Sequence, residues 1–287
     1  LSDEALRNDP VRGLRAVRQA AELGFEIEPH TQDLIREAAP GLAGVSAERM
    51  RDELAKILSL PGITASLRQL DELYLLAEIL PQVTALKDVA QTRPHRWDAY
   101  EHTLQTVAAL ESLLPLDGSA LDPGLPYPEQ VTHHLGQGVS GGHSRRLLLT
   151  LAALLHDVGK RDTARVEADG RVRFIGHDKK GAAIAAKAMR DLRFAAEATR
   201  RVETIVRHHL RPLQLAWEGR VSKRAIYRFF RDAGDAGVET ALLALADQRA
   251  TTGPDAGDEQ YADLVSARGR RSAGCWQTCA RRRRWAR

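Results

Sequence analysis

LLTLAALLHDVGK, residues 148–160, is the stretch whose reading decides the fold. The apolar run through residues 151–155 predicts the buried part of a helix, and Gly159 marks a stop signal just beyond it. That helix ends on His156-Asp157, an imidazole beside a carboxylate, with Lys160 three residues further on. Burying such a pair is costly unless its polar atoms are satisfied. Two readings are open at this point. Asp157 pairs with Lys160 while His156 faces solvent, or the pair holds a divalent metal.

The rest of the chain frames that choice. At 287 residues there is room for two domains. Hydrophobic residues at 43% and charged residues at 28% fit an ordinary globular protein. Long Leu/Ala/Arg/Glu runs alternate with short Gly/Pro breaks, which predicts an all-α fold. No stretch approaches the roughly 18 consecutive apolar residues of a membrane span, and the first residues carry no secretory signal. The expectation is a cytoplasmic protein with no membrane partner. Cys275 and Cys279 lie close to the C-terminus, so no disulfide framework is expected. The chain opens at Leu1, and its methionines are Met50 and Met189, so a processed, trimmed or fragmentary chain is expected.

Charge is unevenly placed. Residues 267–287 carry eight arginines and no acid, and removing them from the whole-chain charge of +4 leaves the remainder at −4. The tail, residues 263–287, has no apolar periodicity and is expected to be disordered or non-native; the competing account is a nucleic-acid-binding tail.

At the other end, Asn8-Asp9-Pro10 predicts a helix start, a capping side chain followed by proline at the first helical position. Val11, Leu14, Val17 and Ala21 share one face, and Gly24 closes the helix. Arg12, Arg15 and Arg18 recur every three residues along the other side, either as a solvated basic face or as an RNA contact. Asp9 and Arg12 lie one turn apart, where they could read a base edge. In VSAERMRDELAKIL, Ser46 caps the next helix, and Arg49, Glu53 and Lys56 share a face at i, i+4 and i+7. An ion-pair ladder would use the same residues.

The run NDPVRGLRAVRQAAELGFEIEP resembles the neck of the bacterial tRNA nucleotidyltransferase and poly(A) polymerase family. That family carries Glu-Asp-x-x-Arg, then Arg-x-x-x-Glu-x-x-Lys. Asp9 and Arg12 match the first motif, with Asn8 in place of Glu, and Arg49, Glu53 and Lys56 match the second. The resemblance implies nucleotide binding by Asp9, Arg12, Arg49, Glu53 and Lys56, and RNA binding by Arg15 and Arg18. The family's Gly-Ser turn and Asp-x-Asp pair, which hold its polymerase magnesium ions, have no match, so nucleotidyl transfer is not expected of this chain alone.

Helical pattern continues through residues 67–80 to a stop at Pro81, and Pro94 with Trp97 predicts a boundary between domains. Asp98 caps a helix over residues 99–114 that carries Glu101-His102. Residues 115–142 read as a loop-rich connector, with His133, His134 and His143 solvated. A hairpin is expected around Asp169-Gly170. His177 then precedes a helix in which Gly181 permits close packing. A further helix ends in His208-His209 before Pro212, and Asp247 lies near the end of a last apolar helix. Histidine with carboxylate suits Mg, Mn, Ni, Co or Fe, and no thiol is offered for structural zinc.

In order and spacing these residues resemble the HD-domain metal-dependent phosphohydrolases. The resemblance implies that His102, His156, Asp157 and Asp247 hold one metal. His177 with His208, His209 or both would add a second, with Asp157 bridging and acting in catalysis and Lys160 facing the phosphate. The resulting expectation is a helical neck and body over residues 1–93 and an HD-type helical bundle over 94–262. Such a protein would serve tRNA 3′-end processing and hydrolyse phosphoesters. Its expected partners are a tRNA or RNA 3′ end, nucleotides or phosphoesters, and a separately encoded nucleotidyltransferase head. The alternative is a tRNA- or nucleotide-binding module whose HD site is structural or vestigial.

Overall fold

The computed structural model describes residues 3–92, 94–217 and 222–252. The arginine-rich tail, both cysteines and residues 253–262 lie outside the described residues.

Helices α1 (Asp3–Asn8), α2 (Val11–Leu23), α3 (Pro29–Ala38), α4 (Ala47–Ile57), α5 (Ile63–Glu72), α6 (Leu75–Ile79) and α7 (Pro81–Thr84) build the N-terminal part. Val11, Leu14 and Val17 are fully buried on α2, and Ala20 rather than Ala21 completes that face. Gly13 lies within the same face because a β-carbon there would press on Ile35 and Leu75. Gly24 closes α2 in the left-handed region at φ 66°. The expected cap by Asp9 does not form. Pro10 occupies the cap position, and the Asp9 carboxylate instead accepts from Arg49 at 2.8 and 2.9 Å. Ser46 sits at the α4 cap position without a side-chain hydrogen bond. The expected stop at Pro81 is also revised. The helical stretch breaks earlier, at Tyr74, and Pro81 opens α7, where a missing N–H costs nothing.

The C-terminal part comprises α8 (Ala99–Leu113), α9 (Pro128–Gly136), α10 (Arg145–Leu155), α11 (Lys160–Thr163), α12 (His177–Asp191), α13 (Ala196–His208), α14 (Leu210–Trp217), α15 (Lys223–Ala233) and α16 (Gly237–Thr252). Two short antiparallel hairpins interrupt them: β1 (Gly138–Val139) with β2 (His143–Ser144), and β3 (Ala164–Val166) with β4 (Val172–Phe174). The second is the hairpin expected at Asp169-Gly170, with Ala164 facing Phe174 and Val166 facing Val172. Asp98 caps α8 by accepting from the Glu101 amide at 2.7 Å.

Residues 147–155 of α10 and 242–246 of α16 are all buried, so these helices have no solvent face along that length and form the centre of the bundle. α8 packs against both of them and also against α5 of the N-terminal part. One apolar cluster therefore runs from Leu6 to Ala246, across the boundary expected near residue 93. Polar contacts reinforce that crossing. Glu111 of α8 accepts from the Ile63 and Thr64 amides at 2.6 and 2.8 Å, capping α5 from outside, and Arg68 of α5 grips Glu101 of α8 through two hydrogen bonds.

The stretch 115–142 is less loop-rich than expected. It contains α9, whose Val131 and Leu135 are buried. His134 is not solvated: its Nε2 lies 3.0 Å from Glu239, a fully buried carboxylate. Glu239 also accepts from Arg201 at 2.7 Å, while Asp235 accepts from Arg145 and Arg201 at 2.8 and 2.9 Å. His143 stacks on Phe194, with ring centroids 5.0 Å apart. His133 remains exposed.

Candidate metal centre

α10 delivers His156 as its C-terminal cap, and Asp157 follows in the turn before α11. That turn fits only because residues 159 and 181 are glycines. A β-carbon on Gly159 would come within 2.3 Å of the His177 carbonyl oxygen and 2.6 Å of the Gly181 amide nitrogen. Gly159 has φ −76°, so its role is close approach to α12 and not left-handed termination. Gly181 meets the Gly159 amide from the facing side, as its place in the sequence suggested.

Around Asp157 the bundle gathers four imidazoles and a second carboxylate. His102 comes from α8, His177 is the first residue of α12, His209 caps α13, and Asp247 comes from α16. Asp157 Oδ2 lies 3.2 Å from His156 Nε2 and 3.5 Å from His102 Nε2. Its other oxygen, Oδ1, lies 3.5 Å from His177 Nε2 and 4.0 Å from His209 Nε2. Asp247 Oδ1 lies 2.9 Å from His102 Nε2 and 3.9 Å from His156 Nε2. Two groups result, His102/His156/Asp247 and Asp157/His177/His209, and within each the potential ligand atoms lie within 4.8 Å of one another.

Histidine orientation follows from the backbone. Nδ1 of His156 donates to the Ala153 carbonyl at 2.7 Å, Nδ1 of His177 to Phe174 at 2.6 Å, and Nδ1 of His209 to Val206 at 2.7 Å. A carbonyl can only accept, so each ring carries a proton on Nδ1, and in the neutral form the lone pair is left on Nε2. All three Nε2 atoms are buried without a hydrogen-bond partner. Orphaned buried acceptors of this kind are rare in folded proteins. The pattern, one ring nitrogen tied to a carbonyl and the other aimed inward, is how metal-ligating histidines are held.

The electrostatics agree. Burial alone would raise the Asp157 carboxyl, but His156, Lys160 and His177 around it hold it well below the usual range. Asp247 is likewise lowered against burial, by His102 and His156. His156 stays above its ordinary value despite burial because both carboxylates favour its cation. His209, buried and next to His156, is pushed down to about 4. The cavity favours positive charge at its middle and neutral imidazole at its edge.

Lys160 is buried, with Nζ 2.6 Å from Asp157 Oδ2 and 5.4 Å from the centre of the Phe174 ring. His208 is the corrected assignment. Successive helix residues point about 100° apart, so only one of the pair can face Asp157, and that one is His209. His208 is half-buried outside both groups. Two residues near the centre were not singled out from the sequence. Gln91 accepts a hydrogen bond from Lys160 at 2.6 Å. The His95 ring lies edge-on to that of His102 at 5.0 Å, and burial, with Lys160 and His102, pushes His95 down to about 4. Both sit in what reads in the sequence as a bare domain boundary.

The second predicted set also assembles. Asp9 binds Arg49, with Arg12 and Arg15 at 3.8 and 3.9 Å. Glu53, nearly buried, accepts from Arg18 at 2.9 Å, Lys56 at 3.2 Å and Arg15 at 3.5 Å. All seven residues join one network across α2 and α4, and Arg12, Arg15, Arg49 and Lys56 keep close to half their side-chain surface or more in solvent.

Comparison with known proteins finds two family matches along the chain. Residues 99–252 match the HD domain family, and residues 24–87 match the family described as "Probable RNA and SrmB- binding site of polymerase A". The helical bundle with its inward histidines and aspartates is thus a protein of the HD-domain family. More particularly, its neck and HD segments together are homologous to part of the tRNA nucleotidyltransferases that add CCA. It is 34% identical over 257 residues to a CC-adding tRNA nucleotidyltransferase of Thermus thermophilus, covering 88% of this chain and 51% of the relative. It is 31% identical over 264 residues to an A-adding tRNA nucleotidyltransferase of Deinococcus radiodurans, covering 90% and 53%. A CCA-adding enzyme of Thermotoga maritima solved with tRNA shares the fold, with TM-score 0.55 and 15% identity over 95% of this chain and 51% of that one. The chain spans about half the length of the curated relatives it matches. Among the described residues, no helix is long and apolar enough to cross a membrane.

Proposed function

We propose that this chain serves tRNA 3′-end processing, with a neck that binds nucleotide and RNA and an HD centre that hydrolyses phosphoesters with divalent metal. The supporting observation is the set of buried, unpartnered Nε2 lone pairs on His156, His177 and His209 converging on Asp157. His102, His156, Asp157 and Asp247 would hold one ion, and Asp157, His177 and His209 a second, with Asp157 shared through its two oxygens. Ions such as Mn, Ni, Co, Fe or Mg supply charge stabilisation on a phosphate and lower the pKa of water. The protein's own part is to fix the imidazole tautomers through backbone carbonyls and to place the Lys160 ammonium as a point charge for a phosphate oxygen. In the neck, Asp9 and Arg12 would face a base, Arg49, Glu53 and Lys56 would complete the nucleotide site, and Arg15 and Arg18 would meet RNA. A nucleotidyltransferase head, joined to this segment or encoded separately, is the partner this division of labour calls for.

A second reading rests on Lys160. Its ammonium already compensates Asp157 at 2.6 Å, so the centre could persist as a structural remnant beside a tRNA-binding neck. Reloading chelated protein with Ni, Co or Mn and assaying an artificial phosphodiester separates the two. Metal-dependent turnover that disappears in His156→Ala supports the hydrolase. Salt-dependent tRNA binding without turnover under any of these metals supports the module.

A further inference from the structure

Residues 88–98 fall between the two family matches, which end at 87 and begin at 99. The described residues of this connector, 88–92 and 94–98, are nonetheless held in place. Its ends are tied together: the Ala99 amide donates to the Val89 carbonyl at 3.0 Å, and the Asp88 amide donates to the Asp98 carboxylate at 3.1 Å. Asp88 holds a left-handed backbone at φ 62° to make that turn. Inside the loop, Gln91 Nε2 donates to the Trp97 carbonyl at 3.3 Å, and the His95 amide donates to the Thr92 carbonyl at 3.3 Å. Thr92 reaches across to the β3–β4 hairpin, donating to the Val172 carbonyl at 3.2 Å.

Two side chains of this loop turn toward the metal centre. Gln91 Oε1 accepts from the Lys160 ammonium, which also contacts Asp157. His95 packs edge-on against the His102 ring, and its Nδ1 is buried with no hydrogen-bond partner. Among the described residues, His95 is in neither group of potential metal ligands. It therefore borders the centre without belonging to the ligand set. A polar atom buried there is expected to meet a partner when the site is filled.

We propose that the connector forms the substrate-facing wall of the HD centre, with His95 hydrogen-bonding a bound phosphoester oxygen and Gln91 holding Lys160 toward the same oxygens. The inference rests on the hydrolase reading for its substrate class, but it concerns phosphate recognition and not the hydrolytic step. Closure of the loop by Asp88, Asp98 and Thr92 keeps both side chains in place, as a substrate-positioning group requires. Because Gln91 and His95 lie outside both family matches, they are suited to set which phosphoester is accepted.

The test uses the full chain loaded with Mn, Ni or Co, as wild type, His95→Ala, His95→Asn and Gln91→Ala. Metal content by elemental analysis, affinity for inorganic phosphate by calorimetry, and hydrolysis of bis(p-nitrophenyl) phosphate are measured on each. Metal content should be unchanged in all four. Phosphate should bind about 10-fold more weakly to His95→Ala, the effect of one charge-assisted hydrogen bond, with partial recovery in His95→Asn, which retains an N–H. Gln91→Ala should weaken phosphate by a smaller factor. Equal phosphate affinity in wild type and His95→Ala, loss of metal from His95→Ala, or a metal-loaded wild type that does not bind phosphate would each overturn the proposal. If wild type binds phosphate but does not cleave the ester, the hydrolase reading fails, and the phosphate measurements still decide the role of His95.

Discussion

Two clusters of charge are buried in the same helical bundle, and they have opposite surpluses. Around Glu239 and Asp235, Arg145 and Arg201 bring more donors than the carboxylates can take, and Nε of each guanidinium is left over. Around Asp157 and Asp247 the leftover atoms are acceptors: three imidazole nitrogens, turned inward beside the Lys160 ammonium. In the first, closed cluster each carboxylate is matched by guanidinium groups of the protein itself. The second, open cluster keeps imidazole lone pairs that no group of the protein fills. Burial of ionisable groups is common to both, so burial does not mark the functional site; the sign of the unsatisfied remainder does.

That contrast can be broken experimentally, beginning with the closed cluster. Glu239→Ala would take from the buried Arg201 guanidinium its one fully buried carboxylate, leaving the partly exposed Asp235, and should cost about 3 kcal/mol in urea unfolding, with or without metal. A loss that metal could restore would mean that the two clusters are not independent.

Acid should act on the open cluster. His209 is held at about 4, below the ordinary 6.5, so the unfolded chain takes up its proton first as pH falls. The stability from its neutral form is complete above about 6.5 and is lost as pH falls toward 4, a change of roughly 3 kcal/mol. His95 contributes in the same direction, and His156, raised, in the opposite one. Urea unfolding of chelated protein between pH 7 and 4.5 should show this slope, and His209→Gln should flatten it.

Metal tests the open cluster directly. A cation at 100 times its dissociation constant should stabilise the chain by about 2.7 kcal/mol, read as a rise in melting temperature. Asp157→Asn should abolish the rise, whereas Arg145→Lys, placed in the closed cluster, should retain it. The smallest effect belongs to the neck. Arg49→Ala removes a half-exposed ion pair to Asp9 and should change stability by less than about 1 kcal/mol, while weakening nucleotide binding measured by fluorescence or calorimetry.

Much of this candidate centre was legible in the amino-acid sequence because most of its histidines and Asp157 sit at or near helix ends. His156-Asp157 follows an apolar run, His102 follows the Asp98 cap, and Gly181 lies one turn past His177. What could not be read depends on rotation or distance. His208 and His209 are equivalent in sequence, and the helical rotation between them selects one. His134 and Glu239 are 105 residues apart, and nothing local in either segment indicates the other. Asp9 looks like a cap because it precedes proline, yet its carboxylate is taken by Arg49, forty residues on. His95 lies in a stretch with the composition of a linker, where no periodicity directs attention to it.

The junction at α8 has a consequence for how the protein comes apart. Glu111 caps a helix of the neck, Glu101 is gripped by Arg68, and the next residue, His102, enters the candidate metal centre, all on one helix. The neck cannot detach without uncovering the apolar face of that helix and freeing the α5 amides. Calorimetry should therefore record a single melting transition for both parts, and metal added at the far side of α8 should carry that whole transition upward.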